Sequence, residues 1–202
     1  MSTALLAFAL ASLLIELTPG PNMTYLAILA ADRGRAAGLA GVAGVAVGLA
    51  LLGLLAMFGL GALVLETPWL HQALRWAGVA YLVYLAWEAW RDGSRPLNVA
   101  HSDDSGWRFF RRGLITNLLN PKAALFYVTV MPSFLPGTGQ SEVLLFTAVY
   151  VCVATLVHAG VVLLAGSLQP LLTSGSRRRQ MGFVFAVLLL LVAGWVALST
   201  AG

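Results

Sequence analysis

The sequence predicts an all-α integral membrane protein: six transmembrane helices as two inverted three-helix repeats, helices 1 and 4 broken near mid-membrane. Three observations carry that expectation. The 202 residues are 59% apolar and only 10% charged, with a mean hydropathy of +0.86, whereas soluble domains carry about 25% charged residues. Long stretches lack Asp, Glu, Lys, Arg and His altogether: 36–65 and 180–202 contain none, and 143–176 contains only His158. A membrane span needs about 20 such residues, and helices buried in a soluble protein would show a polar outer face that these segments lack. Finally, prolines with polar neighbours interrupt two apolar runs, at "ELTPGPN" (16–22) and "TNLLNPK" (116–122).

The spans follow in order. Span one, 4–30, starts with the apolar run Ala4 to Ile15. No Lys or Arg precedes that run, and it leads into Glu16-Leu17-Thr18-Pro19 rather than a small-residue cleavage site. It therefore reads as a retained helix, not a signal peptide. Span two, 38–64, places Gly38, Gly41, Gly44 and Gly48 on one helix face. Small residues there let a neighbouring backbone approach closely, either in a second copy, making a homo-oligomer, or within the same chain. Span three, 70–90, holds Arg75, which can snorkel outward, and ends in Glu88, Arg91 and Asp92, a charge cluster at headgroup level. Spans four, five and six cover 112–135, 142–168 and 180–199. The single cysteine, Cys152, lies in span five and excludes both an intrachain disulfide and a dithiol relay.

Ten of the twelve Lys and Arg residues fall in 31–37, 91–112 and 169–180, on one side of the six-span arrangement. The positive-inside rule then puts both termini outside the cytoplasm. The pI near 9.7 is thus a topology signal, not a nucleic-acid footprint. Trp69, Trp87, Trp90, Trp107 and Trp195 sit near span ends, where indoles favour the interface. The chain forms a single transporter domain, with a first repeat in 1–91, a cytoplasmic connecting loop in 92–107 and a second repeat in 108–202. Three spans per half is an odd number, so the second half is inverted. The two interruptions then occupy corresponding places, the pattern that marks a transporter's binding site.

Proline within a helix removes a hydrogen bond and clashes with the preceding turn. In lipid such a break survives only where protein or a water-lined cavity accommodates it. Thr18-Pro19-Gly20-Pro21 ends one half-helix and starts another. Asn120-Pro121 is a restart, since Asn caps and Pro suits the first helical position. Half-helix N-termini meeting near mid-depth attract an anion such as a carboxylate. Glu16 lies about 18 Å along the helix from Ala4, near the middle of a core about 30 Å thick.

Glu16 and Lys122 are the two formal charges placed deep in the membrane, each costing at least ~2.5–3 kcal/mol there. Either they pair and fix the fold, or they serve a substrate. Lys122 and the helix N-termini suit a carboxylate, and Glu16 suits an ammonium. Thr18, Asn22, Asn117 and Asn120 finish the hydrogen bonding or cap the broken backbone. Proton coupling requires a group that titrates near neutral pH, and burial raises a carboxylate's pKa and lowers that of His. Glu16 is the first candidate and His158 the second; a His158 bonded to a neighbouring helix carbonyl is the alternative. No HExxH, GxSxG or multi-histidine cluster appears, so an enzyme has no residues to stand on, and no cofactor or metal site is expected. A small-ion or metal-ion transporter would need carboxylates or thiolates at mid-depth, where only Glu16, His158 and Cys152 are available. A non-enzymatic membrane assembly protein would have no use for paired breaks.

The stretches "LTPGPNMTYLAILAADRGRAAGLAGVAGVAVG" (17–48), "LRWAGVAYLVYLAWEAWR" (74–91) and "FRRGLITNLLNPKAALFYVTVMPSFL" (110–135) resemble the LysE/RhtB family of amino-acid exporters. The resemblance covers most of the chain. It implies a bacterial inner-membrane permease that expels amino acids or close derivatives, driven by the membrane ion gradient. Onto this chain it carries Pro19, Gly20, Pro21 and Asn22, and separately Asn120, Pro121 and Lys122. Glu16 is not a fixed feature of that family, and Leu49 to Leu55 is apolar where many members hold a polar residue or His.

Overall fold

The computed structural model describes residues 2–18, 20–59, 67–93, 105–135, 139–167 and 175–199. The side chains of residues 2, 71, 74, 75, 92, 93, 175–178, 181 and 199 lie outside that description, as do Pro19 and the loop carrying Arg95 and His101. The readings of Pro19, Arg75, Asp92, Arg177 and Arg178 therefore concern groups outside the described residues.

Among the described residues the chain is entirely helical. Helix α1 spans Ser2–Leu17, α2 Pro21–Arg33, α3 Arg35–Met57 and α4 Pro68–Gly93. Helix α5 spans Gly106–Leu118 and α6 Pro121–Leu125. The chain continues from α6 as a π turn, Phe126–Val130, and a 3-10 turn, Met131–Phe134. Helices α7 (Gln140–Gly166) and α8 (Gly175–Ser199) complete it. Two helices, α3 and α7, are long and apolar enough to cross a membrane, and the pair α1–α2, bent by 59°, makes a third candidate span. The molecule is a multi-pass, all-α membrane protein.

Helix ends differ from the sequence-based spans where polar chemistry extends them. The fourth segment begins at Gly106 rather than 112, because Ser105 caps it: its Oγ accepts the Arg108 amide at 3.4 Å. Its first turns are amphipathic, burying Phe109 and Gly113 and exposing Arg111. Helix α3 begins at Arg35 and ends at Met57 in a turn through Gly59, whose φ of 73° suits a residue without Cβ.

Helix α3 is the hub, packing on both α5 and α7, while α4 lies along α8. The glycine face explains the closeness. A Cβ on Gly44 would collide with the Phe110 carbonyl, and one on Gly113 with the Gly41 carbonyl. Gly38 meets Val162, and a Cβ on Gly48 would stand 2.7 Å from Asn117 Nδ2. That face is thus used within the chain. The outside is apolar, with Leu14, Leu156, Leu164 and Leu198 all exposed, the surface a bilayer solvates. Trp69, Trp87, Trp90, Trp107 and Trp195 are exposed as well.

The cluster at the end of α4 is not the solvated headgroup cluster that the sequence suggests. Glu88 is 4% exposed and its Oε1 accepts from Arg108 and Arg112 of α5, both at 2.6 Å. Arginines on a different helix, beyond the connecting loop, neutralise it. Arg91 instead lays its guanidinium over the Trp87 ring at 4.5 Å.

Candidate functional site

The two interruptions meet. Helix α1 ends at Leu17, and α2 restarts at Pro21 from an extended Gly20. Helix α5 ends at Leu118, and α6 restarts at Pro121 from Asn120. Lys122 Nζ donates to the Thr18 carbonyl at 2.9 Å, crossing from the second break to the first. Its Cδ lies 3.4 Å from where a Gly20 Cβ would stand. A cation thus sits on the carbonyl end of α1, where the helix dipole favours positive charge. Thr18 Oγ1 turns back onto the Leu14 carbonyl at 3.2 Å, satisfying itself locally.

Asn120 caps α6 through Oδ1, which accepts the Lys122 amide at 3.0 Å. Asn22 and Asn117 are both buried and bond each other, Asn22 Nδ2 donating to Asn117 Oδ1 at 2.8 Å. This rung joins α2 to α5 immediately beside the breaks. The remaining atom of each amide, Asn22 Oδ1 and Asn117 Nδ2, makes no hydrogen bond among the described residues. Gly48 supplies the room for the Asn117 amide.

Glu16 does not pair with Lys122. Its Oε1 accepts the Tyr150 hydroxyl at 2.7 Å, and its Oε2 lies 3.3 Å from His158 Nε2. Both partners come from α7, and all three groups are buried. His158 therefore faces a carboxylate rather than a helix carbonyl, and its Nδ1 is unpartnered among the described residues. Sequence reasoning did not single out Tyr150. The available signal was spacing: Tyr150, Ala154 and His158 recur every fourth residue, one stripe of a helix. Tyr150 stacks on Phe126 with centroids 3.8 Å apart and meets Tyr127 edge-on at 5.3 Å. An aromatic wall from the segment after α6 thereby holds the carboxylate's partner in place.

Of the sequence-derived site residues, Glu16, Thr18, Gly20, Pro21, Asn22, Asn117, Asn120, Pro121 and Lys122 gather at this junction, and His158 joins through Glu16. Pro21 and Pro121 line one narrow crevice together with Gly78, Tyr81 and Thr116. Cationic, anionic and amide groups have been drawn out of water around broken backbone. Such an arrangement is costly at membrane depth and is tolerated only where protein or a water-lined cavity accommodates it.

A multi-pass helical protein with interrupted helices and buried charge at its centre is, by class, a membrane transporter. The comparisons with known proteins narrow the class. The profile of the LysE type translocator family matches residues 13–200, and the chain belongs to that family. It is similar to the homoserine/homoserine lactone efflux protein of Salmonella typhi, 30% identical over 95% of this chain and 94% of that one. It is also similar to the protein of the same name from Salmonella typhimurium, 28% identical over 95% and 94% of the two chains. An uncharacterized membrane protein of Pseudomonas aeruginosa is 33% identical over 64% of this chain and 63% of its own. No solved structure matches. The protein is an efflux transporter rather than an enzyme.

Proposed function

We propose that the protein exports amino acids or close derivatives from the bacterial cytoplasm by proton-coupled antiport with alternating access. The observation that carries this reading is the contact between the two breaks, which puts Lys122 against Thr18 and Glu16 among Tyr150 and His158. In this reading six spans form two inverted repeats, 1–91 and 108–202, joined by the cytoplasmic loop 92–107. Both termini face outward from the inner membrane. The pairing of like with like supports it: the second helix of each half (α3, α7) packs on its counterpart, and so does the last (α4, α8).

The substrate's carboxylate displaces the Thr18 carbonyl from Lys122 and receives the amides at the start of α2, which has no side-chain cap. Its ammonium binds Glu16. A proton on Glu16, shared with His158, removes the ammonium's partner, so proton and substrate compete for one carboxylate. That competition is the condition for exchange. Of the solutes named for the Salmonella relatives, homoserine carries both the ammonium and the carboxylate that such a site suits, whereas the lactone's carboxyl is closed into an ester and leaves only the ammonium for Glu16.

Cells lacking and overproducing the protein should differ in accumulation of at least one member of an amino-acid panel that includes homoserine. A panel with no species retained or expelled would overturn the exporter reading. In proteoliposomes an inward proton gradient should drive export, and Glu16→Gln should abolish that dependence on pH. A Glu16→Gln protein that still exports uphill with unchanged pH dependence removes Glu16 from the coupling scheme.

A further inference from the structure

A second polar centre lies at the other end of α2. A recess of about 60 Å³ opens between α2, α4, α5 and α8 and is lined by Tyr25, Asp32, Arg33, Glu88, Arg108 and Arg112 among others. Two of its groups are more than nine-tenths buried and incompletely used. Glu88 spends Oε1 on both arginines, while its Oε2 has no hydrogen-bond partner among the described residues. The Tyr25 hydroxyl is likewise unpartnered. A carboxylate oxygen desolvated without a donor is expensive to maintain. The efflux activity assigned so far does not account for it.

The recess has the chemistry of a zwitterion's complement. Glu88 Oε2 and Tyr25 Oη can accept from an ammonium, and the guanidiniums of Arg108 and Arg112 offer paired donors to a carboxylate. Its volume admits about four waters at roughly 15 Å³ each. That is room for a Cα with its ammonium and carboxylate, the side chain lying in the open mouth. Its position also fits a route. Tyr25 stands one turn beyond Asn22 on α2, and Arg112 precedes Asn117 on α5, so the Asn22–Asn117 rung separates the recess from the breaks.

We propose that this recess is an entry site that binds the amino-acid head group from the cytoplasm before it passes the Asn22–Asn117 rung. Ammonium is held by Glu88 and Tyr25, and carboxylate by Arg108 and Arg112. The inference rests on the exporter reading for its direction but not for its chemistry. It is tested in the full chain carrying Cys152→Ser, which removes the one native cysteine, and Ala89→Cys, which places a thiol in the lining. Inside-out vesicles are treated with a membrane-impermeant thiol reagent. Glycine, the head group alone, should slow labelling. Acetate and methylammonium, each carrying half of the charge pattern, should need about tenfold higher concentration or more. Glu88→Gln should raise the glycine concentration for half-protection about tenfold, and Tyr25→Phe should raise it severalfold. No protection by glycine, or equal protection in Glu88→Gln and Tyr25→Phe, would overturn the entry site. A negative export panel with intact, Glu88-dependent protection overturns the exporter reading alone.

Discussion

The two breaks look alike in the sequence and are held open in different ways. The second is self-sufficient. Asn120 caps the restarting helix with its own side chain, the Leu119 amide returns to the Ile115 carbonyl, and the Asn120 amide returns to Asn117. The first has no side-chain cap at Gly20. Thr18 returns its amide to Ile15 and its hydroxyl to Leu14, but its own carbonyl is satisfied by Lys122 from the other break. Among the described residues, the carboxylate beside it, Glu16, finds its polar partners on α7. One interruption is thus a local motif, and the other is held by tertiary contacts. Under the proposed exchange mechanism this inequality has a use: the self-capped break would persist as a fixed point, while the borrowed one would reorganise when its partners are taken by a solute or a proton.

The largest expected effect of breaking this asymmetry comes from Lys122→Met, which keeps side-chain length and removes the donor. The Thr18 carbonyl is then unsatisfied, at a cost of about 1–3 kcal/mol. Export should fall tenfold or more if Lys122 also receives substrate carboxylate. Hydrogen exchange should rise at the Thr24 amide, which closes the first turn of α2 on the Gly20 carbonyl at 2.9 Å. Exchange at the start of α6 should rise less, because its cap is the Asn120 side chain. Equal loosening of the two breaks would show that the dependence is mutual and not one-sided.

Tyr150→Phe acts on the same break from α7. It strips Glu16 Oε1 of its donor and should destabilise by about 1–3 kcal/mol, read as lower thermal stability in detergent. Glu16 keeps His158, so the pH profile of export should shift rather than vanish. Loss of all pH dependence in Tyr150→Phe would place the coupling proton on the Tyr150–Glu16 bond itself.

The contrast also explains what the sequence made legible. The second break could be read from a few consecutive letters, because cap, proline and helix start are neighbours in the chain. The glycine stripe of α3 was legible by period for the same reason. The partners of Glu16 were not, since Tyr150 lies 134 residues away and its helix is apolar on nearly every side. A buried face and a lipid-facing one carry the same alphabet in a membrane, so hydropathy does not say which stripe of α7 turns inward. The burial of Glu88 was missed for a related reason. Its arginines lie beyond the connecting loop, and a charge at a helix end ordinarily faces water.

Asn120→Ala should weaken the second break by about 1 kcal/mol, the usual worth of a cap. Because that break is local, the loss should stay confined to the start of α6, with exchange increased there and the glycine-protection behaviour of the Tyr25–Glu88 recess unaltered. A loss spreading to Thr24 would mean that Lys122 is positioned by the Asn120 cap and not only by its own contact with Thr18.

The smallest effect is expected from Gly20→Ser, which gives the first break the cap it lacks. The backbone there, at φ −157° and ψ −178°, is extended and open to any residue, and the new Cβ would meet Lys122 Cδ at 3.4 Å, an ordinary contact. Serine should change stability by no more than about 0.5 kcal/mol. Its diagnostic value lies in combination with Lys122→Met. A serine cap serves the amides that begin α2, whereas Lys122 serves the carbonyl that ends α1. Gly20→Ser should therefore leave the defect of Lys122→Met uncorrected, both in stability and in exchange at Thr24. If the double variant recovers, Lys122 acts on the amide side of the break, and the first interruption is held in the same manner as the second.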